Sequence, residues 1–362
     1  MDDTRRLYRR IARTTLLGHV GRAPVRPRRA RGREEPAAPQ VSPEELRRQA
    51  EIERELLLAR DIQQGLLLEA VPRLPGWEIS AVSLPARDLG GDLYDFLPLG
   101  EGSHGIMIGD VSGKGLPAAL RMAVARTVFR HEARRSGPPG PTLAAVNRAV
   151  LQEIPQGMIT MLYAVLDTRG GVLRLANAGH NYPVVINGLV GELELTGLPL
   201  GVDADSDYEE VTAALGPGDT VLLYTDGVVE ATSPTEEYYG YERLERLLAA
   251  RPAIKPRALV QSLLHELRTW SATGQADDIT VVVLRRRLTL VGDELRSIAE
   301  DVLGAARVDE LWGAALLPEP SAPAEAWAEA LPGLVGAVHE RFGRGLAREL
   351  HGQLRLALEE YR

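Results

Sequence analysis

Four short acidic segments constrain the fold of this chain more than any other feature of its sequence. They are Gly90-Gly91-Asp92, Gly109-Asp110-Val111-Ser112-Gly113-Lys114-Gly115, Thr225-Asp226-Gly227 and Asp277-Asp278-Ile279-Thr280. Glycines beside an aspartate are typical of sharp turns and of places where the backbone approaches another group closely. A fold that kept the segments apart would leave each aspartate as an ordinary solvated turn residue. A fold that gathered them would bring together carboxylates that repel one another unless cations are present.

The second segment follows an apolar run, Ile106–Ile108, and precedes an alanine-rich stretch that starts at Pro117. An apolar run, a glycine-rich turn and a helical pattern predict a strand, a tight loop and a helix in that order. This pattern places Asp110 where the predicted strand ends.

Oxygen or imidazole must hold any metal that this chain binds, because the sequence contains no cysteine. Hard divalent cations such as Mg²⁺ and Mn²⁺ prefer carboxylate oxygens and retain several waters. Two such ions about 3.5–4 Å apart can polarise a phosphoryl group and generate a hydroxide nucleophile near neutral pH. The spacing of the segments along the chain does not by itself decide between separate turns and a shared metal site.

The composition is that of an ordinary globular protein, with 44% hydrophobic and 25% charged residues. A chain of 362 residues has room for one large domain with appendages. No apolar stretch is long enough to span a membrane, and the N-terminus lacks the apolar core of a signal peptide, so we expect a cytoplasmic protein. The net charge of −8 argues against nucleic-acid binding by the whole chain.

The N-terminal part of the chain divides into an arm and a helix. Residues 1–41 begin with eleven arginines up to residue 33, against two aspartates, which predicts a basic, disordered arm. Ser42-Pro43-Glu44-Glu45 is a strong helix start, with serine at the N-cap and glutamate at N3. The helix is predicted to reach about Leu68. Its apolar stripe favours a helix that is packed against another surface, or a short two-stranded coiled coil. The stripe is formed by Ile52, Leu56, Ala59, Ile62 and Leu66.

From residue 70 to residue 287 the pattern predicts a layered α+β domain, with strands in runs and helices grouped between them. The predicted strands are Trp77–Leu84, Gly105–Ile108, Ile159–Leu166, Val172–Ala176, Pro183–Ile186, Glu209–Ala213, Thr220–Tyr224 and Ile279–Leu284. The predicted helices are Leu116–Arg134, Thr142–Ile154, Tyr241–Ala249 and Arg257–Trp270. Residues 288–362 are predicted to be helical, mainly at Leu288–Leu303 and Leu334–Tyr361, with no role that the sequence reveals.

Six motifs occur in a fixed order along the predicted domain. They are Gly-Gly-Asp-Leu-Tyr-Asp at 90–95, Gly-Asp-Val-Ser-Gly-Lys-Gly at 109–115, Asn-Ala-Gly-His at 177–180, Leu-Pro-Leu-Gly-Val at 198–202, Tyr-Thr-Asp-Gly-Val at 224–228 and Asp-Asp-Ile-Thr at 277–280. Over about residues 56–286 this set resembles the bacterial PPM-type, metal-dependent serine/threonine phosphatases of the SpoIIE/RsbU kind. The resemblance implies a PPM phosphatase β-sandwich of two antiparallel sheets flanked by helix pairs, with the metal cluster at one end.

The same resemblance implies a reaction and its participants. The reaction is hydrolysis of a phosphoserine or phosphothreonine ester on a small regulatory phosphoprotein by a water that two metal ions activate. Anti-anti-sigma factors are the expected substrates, and two ions of Mn²⁺ or Mg²⁺ are the expected cofactors. Because related phosphatases pair through the helix before the domain, residues 42–69 are predicted to form a linker helix that makes a homodimer.

The resemblance also assigns candidate site residues. The implied metal ligands are Asp92, Asp110, Asp226 and one of the pair Asp277 and Asp278, of which Asp277 is preferred. Asp110 is expected to bridge the ions, and the Val111 carbonyl to be a backbone ligand. His180 is either a proton donor to the leaving group or a structural hydrogen-bonding residue. Two further expectations are that Lys114 contacts phosphate or is solvated, and that Asp95 stabilises a turn. No arginine is assigned to the phosphate.

Two other functions are compatible with parts of the sequence. Gly90-Gly91-Asp92 opens like the signature of diguanylate cyclases, but that signature needs an acidic residue and then phenylalanine where this chain has Leu93-Tyr94. A catalytically silent module with the phosphatase fold would dock partners without turnover, and the presence of all four acidic positions speaks against it.

Overall fold

The computed structural model describes residues 42–66, 71–100, 102–154, 157–250, 255–272, 274–314 and 317–361. The arm predicted for residues 1–41 lies outside the described residues. The chain divides into a unit Met1–Ala50 and a larger unit Glu51–Arg362. Of the smaller unit, only the residues from 42 onward are described, and they begin the first helix.

That helix, α1 (Pro43–Leu66), begins as the sequence predicts. The backbone N–H of Glu45 donates to Ser42 Oγ at 3.1 Å, and the Ser42 N–H donates to Glu45 Oε2 at 2.7 Å. This reciprocal pair is the capping box, which satisfies two N–H groups that a helix start otherwise leaves unpaired. The predicted end at Leu68 falls in a stretch, residues 67–70, that lies outside the described residues.

Two antiparallel sheets form the centre of the larger unit. In chain order their strands are β1 (Trp77–Leu84), β2 (Leu93–Gly100), β3 (Ser103–Val111), β4 (Ile159–Asp167), β5 (Val172–Ala178), β6 (Val184–Ile186), β7 (Val190–Glu192), β8 (Glu210–Ala214), β9 (Thr220–Tyr224) and β10 (Ile279–Arg286). One sheet has the order β1-β10-β9-β6-β7 and the other has the order β2-β3-β4-β5-β8. The strand β10, the last of the domain, therefore lies between β1, the first, and β9.

A pair of helices covers the outer face of each sheet. The second sheet carries α2 (Leu116–Ser136) and α3 (Pro139–Glu153), and the first carries α4 (Tyr241–Ala249) and α5 (Pro256–Trp270). Each pair shares a buried apolar cluster with its sheet, and a third cluster joins the inner faces of the two sheets. This layering of helices, sheet, sheet and helices confirms the predicted α+β sandwich flanked by helix pairs.

The strand β2 was not predicted, because Asp95 and Pro98 interrupt its apolar pattern. Its residues alternate as a sandwich strand requires, with Leu93 and Leu97 packed on the helix side and Tyr94 and Phe96 between the sheets. Pro98 is tolerated because β2 is the edge of its sheet and its pairing is irregular there.

Asp95 does not stabilise a turn, contrary to the prediction. It lies within β2, is fully buried, and forms ion pairs with Arg126 at 3.1 Å and Arg130 at 2.9 Å on α2. Its neighbour Phe96 donates a backbone N–H to the same carboxylate. Asp95 therefore fixes β2 to α2 and so supports the strand that directly follows Asp92.

Helices follow the sandwich to the end of the described residues. They are α6 (Val291–Leu303), α7 (Ala305–Ala314), α8 (Ala324–Phe342) and α9 (Arg344–Glu360), where two helical segments were predicted. Breaks come at Gly304 and Gly343, whose φ angles of 86° and 92° favour glycine. These C-terminal helices share a buried cluster of their own. None of the helices in the described part of the chain is long and apolar enough to cross a membrane.

A buried charge cluster connects the C-terminal helices to the sandwich. Glu294 on α6 is fully buried and pairs with Lys255 at 2.5 Å, Arg285 at 3.3 Å and Arg287 at 3.3 Å. Its carboxylate also accepts the backbone N–H of Leu288 at 3.1 Å. Burial by itself would raise the pKa of Glu294, but Lys255 and Arg285 outweigh it and lower this pKa to about 2. Glu294 is therefore ionised at neutral pH.

Candidate active site

The first and fourth acidic segments lie against each other, although they are far apart in the chain. Asp278 Oδ1 accepts the Ala86 N–H at 2.7 Å, and its Oδ2 accepts the Gly91 N–H at 2.6 Å. A Cβ atom at Gly90 would lie 2.7 Å from Asp278 Oδ2, so the close contact requires glycine there. Both oxygens of Asp278 thus accept backbone N–H groups, one from Gly91 within the first segment and one from Ala86 just before it.

The second segment meets the first at Gly91. A Cβ atom on this glycine would lie 2.7 Å from the Val111 carbonyl oxygen and 3.4 Å from Asp110 Oδ1. The missing side chain therefore allows the end of β3 to approach the Gly90–Asp92 turn. Asp110 and the Val111 carbonyl consequently lie beside the turn that carries Asp92.

The third segment joins the others through Thr225. Its hydroxyl donates to Asp92 Oδ2 at 2.8 Å and accepts the Thr280 N–H at 2.9 Å. Gly227 lies so close to the Asp278 carbonyl that a Cβ atom would come within 1.9 Å of it. All four acidic segments therefore meet in one place, at the ends of strands from both sheets.

Burial, together with the charges of neighbouring aspartates, raises the pKa values of Asp92, Asp110 and Asp226. Burial raises the pKa of Asp110 to about 7, with further contributions from Asp226, Asp277 and Asp278. Burial, then Asp277, raises the pKa of Asp226 to about 6. The pKa of Asp92 is raised well above its usual value by burial and then by Asp110. Such mutual shifts are expected where carboxylates are collected in a partly desolvated place.

Three of these carboxylates have a bonding partner that fixes their orientation. Asp92 bonds to Thr225, Asp278 bonds to the backbone, and Asp277 Oδ2 pairs with Lys114 Nζ at 3.0 Å. In this arrangement, no three acidic or histidine side chains in the described part of the chain form a ready metal-binding group. The donor set itself, carboxylates beside a backbone carbonyl, is the one that Mg²⁺ and Mn²⁺ prefer.

His180 lies behind this centre. The side chain is buried, and its Nδ1 shares a hydrogen bond of 2.8 Å with Thr160 Oγ1. Thr160 is the partner of Asp110 in the pairing of β3 with β4. Burial lowers the pKa of His180 to about 3, and its backbone N–H donates to Asn177 Oδ1 at 2.7 Å. These contacts favour the structural alternative for His180 over the proton donor.

Glu230 is a further carboxylate that the sequence did not reveal. Its backbone N–H donates to the Asp226 carbonyl at 2.8 Å. Although the residue is exposed, desolvation by the surrounding protein raises the pKa of Glu230 to about 7, followed by contributions from Asp226 and Asp277. Its position four residues after Asp226 could have indicated this placement, because a tight turn brings residues four apart back to the same side.

Comparison with known proteins decides the family. The family model described as Stage II sporulation protein E (SpoIIE) matches residues 100–287, more than half of the chain. This chain belongs to the SpoIIE family of PPM-type protein serine/threonine phosphatases. It is 34% identical over 246 residues to the phosphoserine phosphatase RsbU of Bacillus subtilis (strain 168), covering 66% of this chain and 72% of RsbU.

Solved structures share the fold of this SpoIIE-family phosphatase. The SiaA-PP2C domain of Pseudomonas aeruginosa has a TM-score of 0.60 and 23% identity, over 66% of this chain and 98% of that one. The RsbU and RsbW domains of Rv1364c from Mycobacterium tuberculosis give a TM-score of 0.55 and 28% identity, over 67% and 72% of the two chains. The match to the family model ends at residue 287, before the C-terminal helices begin. Phosphatases of this type are metal-dependent.

Proposed function

We propose that this phosphatase removes phosphate from phosphoserine or phosphothreonine on a small regulatory protein, with two ions of Mn²⁺ or Mg²⁺ at the carboxylate centre. The observation that carries the proposal is the convergence of four acidic segments spread over residues 90–280. The relationship to RsbU, named a phosphoserine phosphatase, supports the substrate class. By the same relationship, proteins of the anti-anti-sigma factor type are the first substrates to try.

Asp92, Asp110, Asp226 and Asp277 are the proposed metal ligands, together with the Val111 carbonyl. Asp110 is the proposed bridge between the ions, because its carboxylate lies beside the Gly90–Asp92 turn and close enough to Asp226, Asp277 and Asp278 to interact with their charges. Asp277 is preferred over Asp278, because both Asp278 oxygens already accept backbone N–H groups near Gly91. In this assignment Asp278 is a positioning residue that holds the first segment in place.

When bound, two divalent ions would supply an activated water and neutralise charge on the phosphoryl oxygens. The chain's own residues create the place for this chemistry. Gly91 lets the Val111 carbonyl approach the Asp92 turn, and Thr225 fixes the Asp92 carboxylate by its hydroxyl. His180 supports the strand pair beside Asp110 through Thr160, and it remains neutral at physiological pH.

The first prediction is that turnover of a phosphoserine peptide requires added Mn²⁺ or Mg²⁺. Protein stripped with EDTA should be inactive and should recover when either ion is restored, because the clustered carboxylates need cations. Release of inorganic phosphate measures the reaction. Full activity in the stripped protein would contradict the metal-dependent mechanism, and no activity with either ion would favour a silent binding module. Synthesis of cyclic di-GMP from GTP would favour the cyclase.

We also propose that α1 pairs two copies of the chain and regulates the site. Large apolar side chains on this helix are exposed, with 49% of Ile52 and 60% of Ile62 accessible. The side chain of Gln63, in contrast, is buried and bonds to both backbone groups of Gly90. The predicted stripe is therefore divided, with Leu56, Ala59 and Leu66 partly covered while Ile52 and Ile62 remain exposed. A shift of α1 would move the turn that carries Asp92.

The second prediction tests this pairing with charges on the exposed apolar positions. The double variant Ile52→Glu, Ile62→Glu should be monomeric at concentrations where the wild type is dimeric, because two buried charges oppose association. Light scattering measures the mass, and a phosphatase assay run beside it reports the coupling to activity. The control is Arg54→Glu with Gln64→Glu, since both positions are exposed and polar. A wild type that is monomeric at micromolar concentration would contradict the dimer.

A further inference from the structure

Lys114 belongs to the second acidic segment, and its side chain contacts the fourth. Its ammonium donates to the Ala276 carbonyl at 2.7 Å and pairs with Asp277 Oδ2 at 3.0 Å. It is the only cation within ion-pair distance of Asp277 among the residues that the structure describes. The contact bridges positions that are more than 160 residues apart in the chain.

Both oxygens of Asp277 are occupied in this arrangement. Oδ1 accepts the backbone N–H of Asp278 at 2.9 Å, and Oδ2 faces the Lys114 ammonium. The hydrogen bond from the Asp278 N–H is part of the turn itself. A lysine side chain, in contrast, is long and flexible and carries a compact, strongly hydrated charge. Side-chain exposures of 42% for Lys114 and 39% for Asp277 give the ammonium an open route to solvent. Of the two partners, Lys114 is the one that can leave.

The charge of Lys114 also acts beyond Asp277. It partly offsets the rise in the pKa of Asp226 and of Glu230, which burial and neighbouring aspartates cause. One ammonium thus relieves repulsion among at least three carboxylates. A divalent cation at Asp277 would have the same electrostatic effect at the same place, so the two compete.

We propose that Lys114 is a tethered counter-cation of the carboxylate centre, which a divalent ion displaces from Asp277. The inference rests on the proposed function, since it takes Asp277 to be a metal ligand. Lys114 makes the carboxylate cluster tolerable before the ion binds and weakens the affinity for that ion. In this role it is a positioning residue for Asp277.

The expected effect is a gain in metal affinity when the ammonium is removed. In Lys114→Gln the Kd for the Mn²⁺ ion that Asp277 is proposed to hold should fall about threefold to fivefold, the size expected for the loss of a half-exposed ion pair that opposes binding. Lys114→Arg keeps the positive charge and should retain the wild-type Kd. Arg174→Gln is the matched control, because it removes one positive charge at an exposed position on β5.

Isothermal titration of each intact variant with Mn²⁺ measures the Kd, and thermal unfolding shows that the variants are folded. Lys114→Ala is a second neutral variant that should shift the Kd in the same direction. Equal or weaker Mn²⁺ binding in both neutral variants would overturn the inference and leave Lys114 as a tether of the loop. A wild type that binds no Mn²⁺ at all would overturn the proposed metal centre itself, and the inference with it.

Discussion

Asp110→Asn is expected to lower turnover about a thousandfold or more while the protein remains folded. A neutral amide in place of this carboxylate removes the charge that the proposed bridge supplies to both ions. Metal ions contribute several kcal/mol to stabilising charge in the transition state, and each ~1.4 kcal/mol is a factor of ten in rate. Steady-state kinetics at saturating Mn²⁺ measure the loss.

The fold should tolerate this change, because burial and then the neighbouring aspartates disfavour the charged form of Asp110 and raise its pKa, and a neutral amide relieves that repulsion. Asp88→Asn is the matched control, since Asp88 is exposed in the same stretch as the first acidic segment. It should keep the wild-type rate. Near-wild-type turnover in Asp110→Asn would show that Asp110 is not a primary ligand.

Glu294→Gln should destabilise the protein by about 3 kcal/mol or more at neutral pH. The substitution removes the fully buried counter-charge of Lys255 and Arg285, which are both buried, and leaves them only the partly exposed Glu78. Removing one partner of a buried ion pair is far more destabilising than removing a surface pair. Urea unfolding followed by circular dichroism measures the change. Glu300→Gln is the control, because its pair with Arg296 is more than a third exposed on both sides and should be worth less than about 1 kcal/mol.

The pH dependence of this effect has a definite sign. The pKa of Glu294 is about 2 in the folded protein, below its ordinary value of 4.5. The stabilisation is therefore fully present above about pH 4.5 and is lost as the pH falls toward 2. The stability difference between wild type and Glu294→Gln should shrink over this range. A difference that stays constant from pH 7 to pH 3 would contradict the role of the ionised carboxylate.

Short-range sequence patterns predicted those elements that are determined by residues close together in the chain. The capping box at Ser42 and Glu45 is one example, and most strands of the sandwich are others. The strand β2 was not predicted, because the residues that neutralise its buried aspartate lie on another element. Arg126 and Arg130 neutralise Asp95 across the strand–helix interface, and nothing near residue 95 in the sequence indicates this.

The sequence indicated which residues belong to the candidate site, but not the contacts among them. Ordered motifs located Asp92, Asp110, Asp226 and the Asp277 and Asp278 pair, since each sits in a distinctive segment. The proposed assignment of Asp277 as ligand and Asp278 as positioning residue rests on which oxygens accept the Ala86 and Gly91 N–H groups, and this depends on three-dimensional placement. The pairing of Lys114 with Asp277 likewise joins two segments that local patterns cannot relate.

Anomalous diffraction from crystals soaked in Mn²⁺, recorded at the manganese edge, tests the central claim most directly. The claim is that the gathered aspartates hold two divalent ions. The expected map has two peaks at the carboxylate centre, both bound by Asp110, with the other side-chain ligands drawn from Asp92, Asp226 and Asp277. Peaks that lie away from this centre, or a centre without manganese while Asp110 is ordered, would contradict the account.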